Sequence, residues 1–331
     1  LLEGAAAYKT ARGYDGVKAL GGGGGARPPK DGWVQGGEPP KRGAFKSGGA
    51  AADFLKEVID GNGGLIGSAI PSVRGRYTAI MGSFEAKLAD LIEQAESATG
   101  LPIRGRAVLD NVVREAFGED SGDQAAKALA KAWGETAEHA RLTFNAAGGA
   151  IGKLERWGLP QTHDPLAMRA VGREAWVEAI LPALDAGRML DHVTGQPMRP
   201  KRLRAVLGET YDAIQTMGAI DRPAGEGLGK GMLAHRRAEA RFLVFKDADA
   251  WMGYQQAFGR ADPYSAMMRH LDGMARDIAR MQVLGPNPDH QFDWLARLAE
   301  RETRIEQLGG AARENALLNT HGRIKSAREM Y

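Results

Sequence analysis

Three kinds of residue pair in this chain have spacings that could support catalysis or metal binding. Glu174 and Glu178 would share one face of a helix and could raise each other's pKa, as the acid of a glycoside hydrolase requires. The remaining pairs are Glu135 with His139, His235 with Glu239, and Asp247 with Asp249. Neither histidine pair has a third metal ligand at motif spacing, and Asp247 stands where a helix needs an N-cap. We therefore favour surface charge pairs and helix capping over an active site for all of them.

A glycine-rich loop at residues 225–231, GEGLGKG, is similar to a phosphate-binding turn. A P-loop needs four residues between its first glycine and the Gly-Lys pair, then Ser or Thr, all after a buried strand. Here three residues intervene, and Gly231 follows the lysine. The loop therefore reads as a connector, and no metal or other cofactor is expected.

Two groups of basic residues could contact nucleic acid. They are Arg199, Lys201, Arg202 and Arg204, and then His235, Arg236, Arg237 and Arg241. The span 199–241 contains nine Lys or Arg residues against five Asp or Glu residues. Such groups neutralise phosphates and release counterions, which would give salt-sensitive, sequence-independent DNA binding. Solvated helix faces would produce the same pattern, so both interpretations stay open.

Composition excludes several classes of site. The 331 residues contain no cysteine, which rules out disulfides, thiolate metal sites and a cysteine nucleophile. The formal net charge of +3 is too small to indicate a nucleic-acid binder by itself. No apolar run approaches the roughly 18 residues needed to cross a bilayer. Because the chain begins Leu1-Leu2-Glu3, without an initiator Met or a signal-peptide pattern, we expect a piece of a longer polypeptide.

Residues 1–50 form a distinct segment, called here the N-terminal strap. They contain 14 glycines and four prolines, a composition that cannot bury enough apolar surface to offset backbone entropy. The strap is expected to be a linker or, alternatively, an extended arm that becomes ordered on a neighbouring subunit, with Trp33 and Phe45 as anchors.

Helical periodicity dominates the rest of the chain. The strongest helix is expected to start at Asp262-Pro263 and to stop at Gly285-Pro286, with apolar residues at three- and four-residue steps from Tyr264 to Met281. Other helix starts are predicted at Asp53, at Ser121 as a capping box with Gln124, at Asp164-Pro165, and at Asp247. Stops are expected at Gly61, Gly100 and Gly218, with a kink or early end at Pro182.

These patterns predict an all-α chain, a multi-helix bundle of about nine or ten helices. The one plausible strand is RFLVF at 241–245, which would need a partner. A boundary near 158–164 is expected to divide the helices into an N-terminal subdomain, 51–158, and a C-terminal subdomain, 159–331.

Four stretches resemble the internal virion, or DNA-ejection, proteins of tailed phages and prophages. They are LPQTHDP at 159–165, REAWVEAILPALD at 173–185, RFLVFKDADAW at 241–251, and ADPYSAMMRHLDGMARDIARMQVLGPNP at 261–288. The resemblance covers a little over a third of the chain. It implies a non-enzymatic structural protein that is packaged in the capsid or at the portal and tail and reaches the host cell envelope on infection. It also implies a homo-oligomer near the portal or tail axis that contacts portal, tail or other internal virion proteins.

Under this expectation the strap contacts a neighbouring copy, and the two basic groups line a path for phage DNA, bound without sequence specificity. Two alternatives come from other classes of protein. One is a peptidoglycan-degrading virion enzyme that uses Glu174 or Glu178. The other is a sequence-independent DNA-binding module.

Overall fold

The computed structural model describes residues 45–61, 72–99, 106–149, 151–153, 159–191, 194–216, 243–306 and 308–331. Within these ranges the chain is all-α, which confirms the predicted fold class. The described residues form eleven α-helices, which are α1 (Gly48–Asp60), α2 (Val73–Thr99), α3 (Arg106–Ala116), α4 (Gln124–Ala146), α5 (Pro165–Val171), α6 (Arg173–Ile180), α7 (Pro200–Gln215), α8 (Ala248–Phe258), α9 (Pro263–Leu284), α10 (Pro288–Ile305) and α11 (Gly310–Met330).

Three predicted helix starts are confirmed, and each depends on an aspartate side chain. Asp262 accepts a hydrogen bond from the Ser265 amide at 3.1 Å and caps α9. Asp164 and Asp247 cap α5 and α8 in the same way. α9 also ends as predicted, at Gly285, whose φ of 81° is a left-handed conformation that glycine adopts without steric cost.

Other predicted starts are wrong, because a neighbouring residue supplies a better cap. The N-cap of α4 is Asp123, which accepts from the amides of Ala125 and Ala126 at 3.0 and 3.1 Å, and not Ser121. α1 begins at Gly48, capped by Ser47, and not near Asp53. The first turn of α1 therefore lies inside the range assigned to the N-terminal strap.

The helix predicted after Asp164 is divided into two. Gly172, with φ 83°, ends α5 and precedes α6. α6 stops at Ile180, and a 3₁₀ turn at Leu181–Ala183 contains Pro182, which agrees with the early end expected there. α7 ends at Gln215, before the expected stop at Gly218, which lies outside the described residues.

The larger of two hydrophobic clusters, called here the central core, is built around three fully buried tryptophans, Trp133, Trp176 and Trp251. They come from α4, α6 and α8. Phe84 of α2 and Phe144 of α4 are also buried in it. Six of the apolar residues predicted on the stripe of α9 join this core, namely Met267, Leu271, Met274, Ala275, Ile278 and Met281, whereas Tyr264 at the start of the stripe stays 53% exposed.

The second cluster, called here the terminal core, joins α1 to α10 and α11. Its members include Leu55 and Val58 of α1, Phe292 and Leu295 of α10, and Ile324 of α11. The last turns of α9 contribute Ala279, Val283 and Leu284. α9 therefore packs into both clusters, which gives the best-predicted helix of the chain a central position in the fold.

Each cluster combines helices from both sides of the predicted domain boundary at 158–164. The central core includes Phe84 and Trp251, and the terminal core includes Leu55 and Phe292. The division into subdomains 51–158 and 159–331 stays a prediction about the whole chain.

The expected strand at 241–245 is reduced in its described part to one isolated bridge between Phe245 and Leu184. Among the described helices, none is both long enough and apolar enough to span a bilayer.

Candidate functional site

The first basic group lies in the exposed N-terminal turns of α7 and comprises Arg199, Lys201, Arg202 and Arg204. Leu203 and Leu207 are buried in the central core, so the neighbouring basic side chains turn towards solvent. Arg202 forms an ion pair with Glu209 at 3.3 Å. Arg204 pairs with Glu178 of α6 through two contacts, one of them 3.2 Å long. Within the described ranges, Arg199 and Lys201 form no ion pair, so two of the four cations are unpaired there.

The second basic group lies outside the described residues, and so do three other sequence candidates. The group comprises His235, Arg236, Arg237 and Arg241, and the other candidates are the His235–Glu239 pair, the glycine loop at 225–231 and the strap residue Trp33. The predicted DNA path, which needs both basic groups, therefore stays a prediction.

Glu178 has the opposite electrostatic setting from the one that a catalytic acid needs. The hydrogen bond from Arg204 lowers the pKa of the Glu178 carboxyl, assisted by the positive charge of the guanidinium. A glycoside hydrolase acid needs a raised pKa so that it keeps its proton near neutral pH. Glu174 is 87% exposed and lies 3.7 Å from Arg173. The two carboxylates share α6, but each is drawn to an arginine and neither lies in an enclosed site.

The remaining carboxylate candidates are also engaged in local structure. Asp247 caps α8 by accepting from the Ala250 amide at 2.7 Å. Asp249 forms an ion pair with Arg114 at 2.5 Å, and this pair connects α8 to α3. Because a cap and an ion pair account for both carboxylates, no paired-carboxylate centre is formed here.

The Glu135–His139 pair does not converge on a metal site. Glu135 lies 4.0 Å from Lys131, and the His139 ring meets the Phe84 ring edge-on with centroids 5.8 Å apart. Within the described ranges, no three His, Asp or Glu side chains come together in a way that could hold a metal ion.

Phe45, the proposed strap anchor, packs on its own chain. Its ring lies 5.2 Å from the Phe54 ring, tilted by 54°, and it covers part of the terminal core. The entry into α1 is further held by Glu306, which accepts a hydrogen bond from the Gly48 amide at 2.6 Å. The described end of the strap is therefore attached to α1 and the end of α10.

A contact between the partly buried His163 imidazole and the buried Tyr254 phenol was not apparent from the sequence. His163 Nδ1 and the Tyr254 hydroxyl are 2.7 Å apart, in a hydrogen bond whose donor depends on the histidine tautomer. Burial lowers the pKa of His163 to about 4, and burial also raises the pKa of Tyr254. Both groups are consequently neutral near pH 7.

The contacts around this pair give it a structural role. Thr162 Oγ1 donates to Gln255 Oε1 at 2.6 Å, and the Asp164 amide donates to the Phe258 carbonyl at 2.7 Å. Together with His163 these bonds attach the segment before α5 to α8. The sequence signal was weak, because a lone histidine between Thr and Asp-Pro resembles an ordinary loop residue.

Two exposed charged faces were also not predicted from the sequence, because the periodicity of apolar residues indicates only the buried side of a helix. Arg297, Arg301 and Arg304 follow one another along the solvent side of α10. Glu85, Asp90 and Glu93 lie on the exposed part of α2. Within the described ranges, none of these six side chains forms an ion pair.

Comparison of the chain with protein-family models, with curated protein sequences and with solved structures finds no match.

Proposed function

We propose that this chain is a structural, non-enzymatic segment of a tailed-phage internal virion protein. In this proposal it assembles as a homo-oligomer near the portal or tail axis and assists delivery of the genome into the host. It resides in the virion and meets the host envelope only on infection. Its partners are other copies of itself, portal or tail proteins and, without sequence specificity, phage DNA.

One observation supports the structural part of the proposal. The side chains that could act as acids or bases are engaged in helix caps, ion pairs and hydrogen bonds between parts of the fold. Asp247 is a helix cap, whereas Asp249 and Glu178 form ion pairs between helices. His163 joins a loop to α8. Side chains used in this way stabilise helix packing and are not free to transfer protons to a substrate, which favours a scaffold over an enzyme.

The virion part of the proposal is supported by the resemblance. Its stretches at 159–165, 173–185 and 261–288 are described, and they form the segment before α5, the helix α6 with its 3₁₀ turn, and the helix α9. Trp176 of α6 and Leu271 and Met274 of α9 all lie in the central core. The residues that carry the resemblance therefore belong to the packed framework of the fold.

The proposal is tested on the full 331-residue chain. Its mass is measured by light scattering during size-exclusion chromatography, and its binding to the portal protein of the phage or prophage that encodes it is measured by co-sedimentation. We expect a defined multiple of 35.4 kDa and association with the portal. A chain that stays at 35.4 kDa at high concentration and does not bind the portal would overturn the proposal.

A further inference from the structure

We propose that the arginine stripe on α10, formed by Arg297, Arg301 and Arg304, docks on the acidic face of α2 of a second copy of this chain. The inference deepens the proposed function, on which it rests, because it names the contact that holds neighbouring copies together. The partner surface on the second copy is the exposed face of α2 that carries Glu85, Asp90 and Glu93.

The arginine stripe is a single line of charge on one side of α10. Its residues follow the i, i+4, i+7 spacing, which places them on one face of a helix and spreads them over about 10 Å. All three are exposed, because the opposite side of α10 is buried in the terminal core through Phe292 and Leu295. Arg313 of α11 reaches the Arg304 carbonyl at 2.9 Å and adds a fourth guanidinium at the end of the stripe.

No carboxylate within the described residues neutralises this stripe. The acids nearest along α10 lie against other groups, since Asp293 pairs with Arg328 at 2.7 Å, Glu300 lies 3.4 Å from the His321 ring, and Glu302 is buried. Three guanidinium groups in a row repel one another at low ionic strength. A facing row of carboxylates would relieve that repulsion.

The face of α2 that carries the acids has the matching shape and charge. Gly82, Ala86 and Ala89 form an exposed ridge of small residues, and a Cβ added at Gly82 would meet nothing within 4 Å. Because an α-helix turns by about 100° per residue, Glu85 lies on one flank of this ridge and Asp90 on the other. From Gly82 to Glu93 the face is about 16 Å long, which accommodates the arginine stripe.

Small residues let a second helix approach closely enough for long arginine side chains to reach carboxylates on both flanks. The outer part of the same face has a shallow open depression lined by Asp90, Glu93, Gln94 and Ser97. Because the depression is open to solvent, guanidinium groups from another molecule could enter it without a change in the backbone of α2.

A second copy fits the stripe better than DNA does. The whole chain has a net charge of only +3. DNA would also leave the acidic face of α2 unused, whereas contact between copies pairs both faces. Two different faces that meet in this way give a head-to-tail arrangement, which closes into a ring when the rotation permits.

The test uses two charge-reversed full-length chains. One carries Arg297→Glu, Arg301→Glu and Arg304→Glu, and the other carries Glu85→Lys, Asp90→Lys and Glu93→Lys. All six positions are exposed, so both chains should keep the helical circular dichroism of the wild type. A matched control reverses three exposed cations elsewhere, Lys127, Arg260 and Arg269, with the same change in net charge as the arginine variant.

Each reversed chain alone should self-associate at least about 100-fold more weakly than the wild type, because like charges then face each other. Mixing the two reversed chains should restore association, since the contact between α10 of one variant and α2 of the other is again complementary. The control should associate like the wild type, and the wild-type assembly should weaken as salt is raised.

Three results would overturn the inference in distinguishable ways. A wild-type oligomer whose mass is unchanged by either reversal refutes this contact and leaves the proposed oligomeric function standing. A wild-type chain that is monomeric refutes this contact, and one that is monomeric and also does not bind the portal refutes the proposed function as well. If the arginine variant keeps the wild-type mass but loses salt-sensitive binding to duplex DNA, the stripe is a nucleic-acid site and not a contact between copies.

Discussion

Replacement of Gly48 by alanine should damage the terminal core more than its conservative chemistry suggests. Gly48 opens α1 against α10, and a Cβ built on it would overlap the Oγ1 and amide nitrogen of Thr303. It would also lie 2.6 Å from the carbonyl oxygen of Ala299. Two of these three atoms belong to the backbone of α10, so a rotamer change cannot remove the clash.

Two costs set the expected loss of stability. They are the steric cost of the added methyl group and the partial loss of one hydrogen bond. Forcing a methyl group into packed space costs about 1–3 kcal/mol. The hydrogen bond from the Gly48 amide to Glu306 Oε1, 2.6 Å long, contributes about 1.5–3 kcal/mol as a bond to a charged acceptor, and part of it would be lost. We expect Gly48→Ala to lower the free energy of unfolding by about 3 kcal/mol in total.

Gly49 is the matched control, because it is the same residue type one position later in the same helix. A Cβ at Gly49 would meet only Arg323 Nη1 at 3.5 Å and Ser47 Oγ at 3.6 Å, which are ordinary contacts. Gly49→Ala should therefore be neutral or stabilise α1 by up to about 1 kcal/mol through helix propensity. The two variants differ only in what faces the new methyl group.

The assay is urea unfolding of the full chain, followed by circular dichroism, together with hydrogen exchange read by mass spectrometry. Gly48→Ala should accelerate amide exchange in residues 48–60 and 288–306, whereas exchange in residues 124–146, which pack in the central core, should stay close to wild type. If Gly48→Ala and Gly49→Ala have the same stability and the same exchange pattern, the close approach of α1 to α10 is wrong.

Three further predictions concern a helix cap, a partly buried histidine and the carboxylates of α6. Asp262→Ala should destabilise the chain by about 1 kcal/mol in urea unfolding, whereas Asp262→Asn, which can still accept from the Ser265 amide, should retain most of the stability; equal losses would contradict the capping role. The pKa of His163 is lowered to about 4, so its contribution to stability is present above the unfolded pKa near 6.5 and is lost as the pH falls from there towards 4. The wild type should thus lose about 2 kcal/mol between pH 7 and pH 4.5 that His163→Gln does not lose, and parallel pH profiles for the two chains would refute this assignment. Zymograms on peptidoglycan should show no clearing zone for the wild type, Glu174→Gln or Glu178→Gln chains, and a zone that only the wild type produces would restore the enzyme alternative.

Much of the fold follows from short-range signals in the sequence. The start and end of α9 depend on Asp262, Pro263 and Gly285, whose effects reach no further than one turn of helix. The same is true of the caps at Asp164 and Asp247. Where two possible cap residues stand close together, as at Ser121 and Asp123, the capping-box pattern predicted Ser121 and was wrong, because the hydrogen bonds of the folded chain make Asp123 the N-cap.

The sequence indicated the charged residues of the candidate site one by one, but it did not indicate which of them form ion pairs. Glu178 and Arg204 were each notable in the sequence, but their ion pair joins residues 26 positions apart. Arg114 and Asp249, which pair at 2.5 Å, are 135 positions apart. No local pattern specifies such partners, because the packing of whole helices brings them together.

The contrast is clearest at Gly48 and at α9. The apolar period and the caps of α9 are properties of consecutive residues, so the sequence by itself determined that this helix forms and where it begins and ends. Gly48 read as part of a glycine-rich strap, because a glycine has the same local signal in a linker as at a close contact. Only the tertiary structure brought Thr303 against it and made its missing side chain a requirement of helix packing.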